Sequence, residues 1–203
     1  LKPGKTLTIE PGTIIKGKQT PSTGELASTL IITRGAQIFA EGTAQNPIIF
    51  TSEIDDENDP DDLPTSARGL WGGLIVLGDA VLGDRTSEVV IEGLPDMESR
   101  ALYGGNYDAD NSGIIRFISI RHGGAALAPG NEINGLTLGG VGSGTIIEYV
   151  EVFANFDDGI EWFGGTVSVK FAAVSFCGDD SYDYDTGWRG NGQFWFSLQA
   201  GNT

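Results

Sequence analysis

The sequence predicts an all-β fold, a single right-handed parallel β-helix with protruding loops. Three observations predict it. Short apolar strands recur along the chain, equivalent positions repeat at a near-fixed spacing, and 31 of the 203 residues are glycine. Glycine carries no side chain and tolerates positive φ, so such a number belongs at tight turns. A Gly-rich chain with many short apolar runs reads as all-β. Its length suits one domain with a continuous core, here residues 1–203.

The repeat is clearest toward the C-terminus. IEYVEVFANFDDGIEWFGGTVS, from Ile147, aligns with VKFAAVSFCGDDSYDYDTGWRG, from Val169, at an offset of 169 − 147 = 22. Ile147 meets Val169, Tyr149 meets Phe171 and Val152 meets Val174. Asp157 meets Asp179, Asp158 meets Asp180, and Glu161 meets Asp183. An earlier copy starts at Ile115, 147 − 115 = 32 residues upstream, with an inserted loop near AALAPGNEIN accounting for the excess. Asn134 to Gly140 then resembles Asp158 to Gly165. Near the N-terminus, the run from Thr6 aligns with the run from Thr29, at 29 − 6 = 23. NPIIFTS and LWGGLIVLG supply further strands.

A unit of this length cannot bury its apolar face alone, and stacking one coil on the next does so. Leucine-rich repeats share the period, but their regular Leu and Asn spacing is absent. A β-sandwich is the alternative all-β fold, and repeats in register argue against it. The predicted core ladder contains Phe117, Tyr149 and Phe171, with Ile120, Val152 and Val174 beside it. Two stretches interrupt the solenoid: Ser52 to Ser66, with seven acids, and the longer excursion Gly83 to Gly113.

Twelve Lys and Arg against 28 Asp and Glu give a formal charge of −16. Such a surface repels phosphate backbones, which excludes nucleic acid as a partner, and it attracts cations. No stretch approaches the roughly 18 apolar residues of a membrane span. The single cysteine, Cys177, permits no intrachain disulfide, so the core must hold the fold. The opening LKPGKTLTIEPGT reads as the interior of a longer protein.

GAQIFAEGTAQNPIIFTS, GLWGGLIVLGDAVL and the run from NEINGLTLGG through DTGWRG resemble a family of secreted bacterial β-helix proteins, common among surface lipoproteins and type IX secretion cargo. The resemblance covers nearly the whole chain. It implies a right-handed parallel β-helix at the surface of, or outside, a Gram-negative bacterium, and it implies no activity.

The acidic ladder is the sharpest candidate site. If 22 residues make one coil, Asp157 and Asp158 lie beneath Asp179 and Asp180, with Glu161 and Asp183 beyond them. Carboxylates about 5 Å apart repel by roughly 3 kcal/mol at an effective dielectric near 20. A calcium ion offsets this, since it accepts six to eight oxygen ligands; Arg189 or Lys170 could neutralise part of the charge instead. The alternative is a set of solvated turn residues capping backbone N–H groups. A second calcium candidate is DADNSG, where Asp108, Asp110 and Ser112 occupy the first ligand positions of an EF-hand loop. Ser119 stands where the bidentate Glu would be, so only a looser calcium loop remains open.

NFDDG followed by GDD also resembles the aspartate arrangement of polygalacturonases, which carries over onto Asp157, Asp179 and Asp180. The His-Gly pair and Arg-x-Lys of that family are missing. His122, the only histidine, makes neither a zinc site nor a triad, and reads as a satisfied turn residue. GGVGSG lacks the features of a phosphate loop. Trp188, Phe194, Trp195 and Phe196 could form a carbohydrate platform, and core stacking is the simpler reading.

The functional expectation is an extracellular structural or adhesive module, stabilised by calcium, with no catalytic residues. Its partners would be a glycan or cell-surface ligand. The alternatives are a polysaccharide hydrolase or lyase using stacked aspartates, and a filament or surface-layer subunit that self-associates through its coil ends.

Overall fold

The short apolar runs form parallel strands stacked coil on coil in a right-handed parallel β-helix. The computed structural model describes residues 1–20, 27–83, 88–94, 99–125 and 132–199. In chain order the strands are β1 (Thr6–Ile9), β2 (Ile14–Gly17), β3 (Leu30–Ile32), β4 (Gln37–Glu41), β5 (Ile48–Ser52), β6 (Leu74–Leu77), β7 (Val89–Val90), β8 (Leu102–Tyr103), β9 (Gly113–Arg121), β10 (Leu136–Gly139), β11 (Ile146–Phe153), β12 (Ile160–Phe163), β13 (Val169–Ser175), β14 (Tyr182–Asp185) and β15 (Gly192–Leu198).

They make three faces. The first stacks β1, β4 and the leading halves of β9, β11, β13 and β15. The second stacks β2, β5 and the trailing halves of those four long strands. The third runs β3, β6, β10, β12, β14. Inward rows such as Ile115, Ile147 and Val169, or Ile120, Val152 and Val174, are buried. Each such side chain contributes about 1.5–3 kcal/mol by leaving water. Trp162, fully buried on β12, stacks on Trp195 at 5.1 Å and meets Trp188 at 4.9 Å.

The 22-residue register holds: Ile147 pairs with Val169, and Glu161 with Asp183. The 32-residue offset holds at Ile115 and Ile147. The N-terminal alignment does not. Thr6 pairs with Gln37, an offset of 37 − 6 = 31, whereas Leu30 lies on the third face beside Leu74. Both runs are short and β-branched with a turn after them, so sequence alone cannot tell which face each occupies.

The aromatic ladder exists, but outside the core. Phe117 stacks on Tyr149 at 4.3 Å, Tyr149 on Phe171 at 4.5 Å, and Phe171 on Phe194 at 5.0 Å. Tyr149 is 39% exposed. All four rings sit on residues with positive φ, between 48° and 60°. In β11, Ile147 and Val150 are buried with two outward residues between them, so the left-handed residue resets the alternation. The pairing ladder skips Tyr149, passing from Glu148↔Lys170 to Val150↔Ala172. In the earlier coil a turn at 42–47 separates β4 from β5, and Phe117 of β9 lies between their two partner segments. The ladder therefore marks the corner between the first and second faces. His122, Ala154 and Phe176, also at positive φ, follow at the ends of the long strands.

The excursion after β6 pairs β7 with β8 antiparallel. It packs Tyr103, Ile91 and Leu82 against Ile75, Leu77 and Phe163, forming a second small core outside the third face. Tyr103 can approach because residue 139 is glycine: a Cβ there would lie 2.9 Å from the tyrosine ring. Residues 126–131 of the expected inserted loop lie outside the described residues.

Candidate cation site

Along β12, Ile160 and Trp162 enter the core while Glu161 and Phe163 face outward. Outward neighbours across the third face are Ile75, Thr137, Glu161 and Asp183. The packed excursion leaves Glu161 only 7% exposed and Thr137 2%. A carboxylate on the outer face of a sheet would ordinarily be solvated; this one is covered.

Carboxylate oxygens of Asp158, Glu161 and Asp183 lie within 4.8 Å of one another, and so do those of Asp157, Asp158 and Asp179. Asp158 belongs to both groups. At that spacing each ionised pair repels by about 3 kcal/mol at an effective dielectric near 20. Burial pushes Asp157 up to about 6, with Glu132, Asp179 and Glu92 adding repulsion. Burial pushes Asp158 to about 7, opposed by the Asp180 N–H that donates to its Oδ1 at 2.8 Å. Glu161 rises to about 8, again mainly from burial and then from the Asp158 charge.

The stack thus brings together five of the six expected carboxylates. Asp180 contributes its backbone amide to Asp158 and belongs to neither carboxylate group. Neither expected neutraliser reaches the stack: Arg189 pairs with Asp108 at 2.7 Å, and the Lys170 Nζ sits 5.0 Å over the Phe171 ring. Asn134 donates from Nδ2 to Glu161, while its own Oδ1 is buried without a hydrogen-bond partner. Asn134 is 4% exposed. An unpaired buried acceptor beside a crowd of carboxylates is suited to a cation. With Thr137 adjacent, the donors are all oxygens, which matches calcium and not a soft metal.

The DADNSG residues serve differently. Asp108 receives both terminal nitrogens of Arg189 and the Val81 N–H, which hold its carboxyl below the usual range. Asp110 accepts from the Ser112 hydroxyl at 3.3 Å, and burial pushes it upward. Asp108, Asp110 and Ser112 do not join either carboxylate group. His122 is buried, donates from Nδ1 to the Ala67 carbonyl and packs edge-on to Phe153. Cys177 is buried, and burial pushes its thiol to about 11. Trp188 and Trp195 pack on the core, whereas Phe194 joins the outer ladder and Phe196 is exposed.

The repeat carries no signal for Glu92 and Glu132, although both act on the stack. They lie in the excursion and beside the inserted loop, where no periodic signal exists. Asn134 was legible as the counterpart of Asp158, but its burial was not.

A family model for a pectate-lyase-like β-helix domain matches residues 1–203. Comparison with curated proteins and with solved structures finds no match. Among the described residues no helix is long and apolar enough to cross a membrane.

Proposed function

The chain belongs to the family of pectate-lyase-like β-helix domains, and from that premise we propose that it is an extracellular structural and adhesive module stabilised by calcium. It serves at the surface of, or outside, a Gram-negative bacterium, with a glycan or cell-surface ligand as partner. The observation carrying the calcium reading is the shared outer row of the third face. There Glu161 and Asp183 converge with Asp158 from the turn before β12, and Asn134 donates from Nδ2 to Glu161 while its own Oδ1 is left unpaired. The fold bears the cost of gathering these charges, and a bound divalent cation offsets it. Calcium is then a strut joining the last turns of the solenoid to one another. The test is thermal unfolding of chelator-stripped protein with and without calcium. A clear rise in Tm supports the reading, and an unchanged Tm removes it.

A second reading, a polysaccharide hydrolase or lyase, draws on one specific observation. Asp158 and Glu161 hold protons near neutral pH, as a general acid must. Release of reducing ends from acidic polysaccharides, lost in Asp158→Asn, would favour it over the structural module.

A further inference from the structure

The third face carries a cover that the repeat alone does not require. The excursion after β6 lays its small apolar core on Ile75, Leu77 and Phe163. Its two described arms, residues 88–94 and 99–107, are held differently. The 99–107 arm is tied by its backbone: the Gly104 N–H donates to the Gly78 carbonyl at 2.9 Å, Gly105 to Ala80 at 3.1 Å and Tyr107 to Asp79 at 2.8 Å. The 88–94 arm starts at Glu88, which pairs with Arg34 at 2.9 Å. It then seats on residues 132–133. Ile91 is buried in the same small core as Ile133. A Cβ on Gly93 would lie 3.1 Å from the Ile133 side chain and 3.2 Å from the Glu132 carbonyl oxygen.

The seat of this arm adjoins the carboxylate row. Ile133 lies under the arm, and the next residue, Asn134, donates from Nδ2 to Glu161. The charges meet there as well. Glu92, on the seated arm, repels Glu161 and Asp157. Closing the arm brings that like charge toward the row, and the cover leaves Glu161 only 7% exposed. Both effects oppose closure while the carboxylates lack a counter-charge. A divalent cation among them reverses the first, since Glu92 is then attracted, and offsets the second. The closed and open arms therefore differ in affinity for the ion, which is the condition for a ligand to shift their populations.

We propose that calcium in the outer row latches the 88–94 arm onto the third face, so that the excursion closes with the ion and loosens without it. This rests on the calcium reading above and adds a moving part to it.

Hydrogen exchange of the full chain, in chelator and in millimolar calcium, tests the latch, alongside isothermal titration with calcium. Calcium should slow the amides of β7, β8 and Ile91 at least about tenfold more than those of β1 and β4, on the first face. Coupling is reciprocal, so unseating the arm must weaken calcium binding. Gly93→Ala puts a Cβ against Ile133 at φ +81° and alters no carboxylate; it should weaken calcium at least about fivefold. Glu92→Gln, which leaves the packing intact, removes the like charge and should slow the Ile91 amide in chelator relative to the parent. Calcium that binds and raises Tm while β7 and β8 slow no more than β1 and β4 would overturn the latch and leave the structural ion in place. Undiminished affinity in Gly93→Ala, or unchanged exchange in Glu92→Gln, would overturn it too. A chain that binds no calcium would remove the latch and the calcium reading together.

Discussion

At the scale of single residues, Glu161 is the most informative side chain. Its folded carboxyl titrates near 8, against 4.5 for an ordinary glutamate. The native state therefore binds more protons than the unfolded chain between those values, and stability falls as pH rises through that window. Asp157 and Asp158, raised to about 6 and 7, act in the same direction. Without calcium, Tm should decline from about pH 4 to about pH 8, and calcium should flatten the decline. Glu161→Gln retains an oxygen for Asn134 and carries no charge. At pH 8 in chelator it should be more stable than the parent by about 1–3 kcal/mol, read by denaturant unfolding. It should also lose most of its response to calcium. The pairing of Glu161 with Asp183 was legible in the 22-residue offset. The shift of its pKa was not, because it depends on the lid formed by the excursion after β6, whose residues follow no repeat.

At the scale of elements, the long strands are each two strands joined through a left-handed residue. Period-two alternation predicts Tyr149 inside, and one residue at positive φ places it outside. A strand pattern read from the sequence cannot register that reset, since an aromatic residue fits an inward or an outward row equally well. The consequence is measurable. Tyr149→Val puts a β-branched residue at φ +54° and removes two ring stacks. It should cost about 2–3 kcal/mol by denaturant unfolding. Tyr149→Asn loses the stacks but tolerates the backbone, and should cost clearly less. If the two variants unfold alike, the left-handed corner is not what selects the residue. On the third face, Gly139→Ala would press on the Tyr103 ring and loosen the excursion. A loss of about 1–3 kcal/mol is expected, with faster amide exchange around β7 and β8.

At the scale of the whole molecule, the fold was legible wherever coils repeat at their minimal length. From Ile147 onward the alignment gave the correct vertical neighbours. The alignment across the inserted loop held as well, at Ile115 and Ile147, and it failed only nearer the N-terminus. β4 and β9 are neighbours in the sheet yet 113 − 38 = 75 residues apart in register, because the loop after β5 and the excursion after β6 intervene. Solenoid stability is a sum over neighbouring coils, so insertions are tolerated as long as the stacked rows persist. The insertion after β6 covers the outer row of the third face, where the repeating strands place the carboxylates. The repetitive part of the chain thus builds the frame, and the irregular part encloses the polar groups from which function is proposed.

The most direct measurement is a crystal structure of the protein grown in millimolar calcium, with anomalous data to identify the ion. The account predicts one ion ligated by Asp158, Glu161 and Asp183, at oxygen distances of about 2.3–2.6 Å, with the Asn134 Oδ1 turned toward it. Those three carboxylates surrounded only by water, in crystals saturated with calcium, would contradict it.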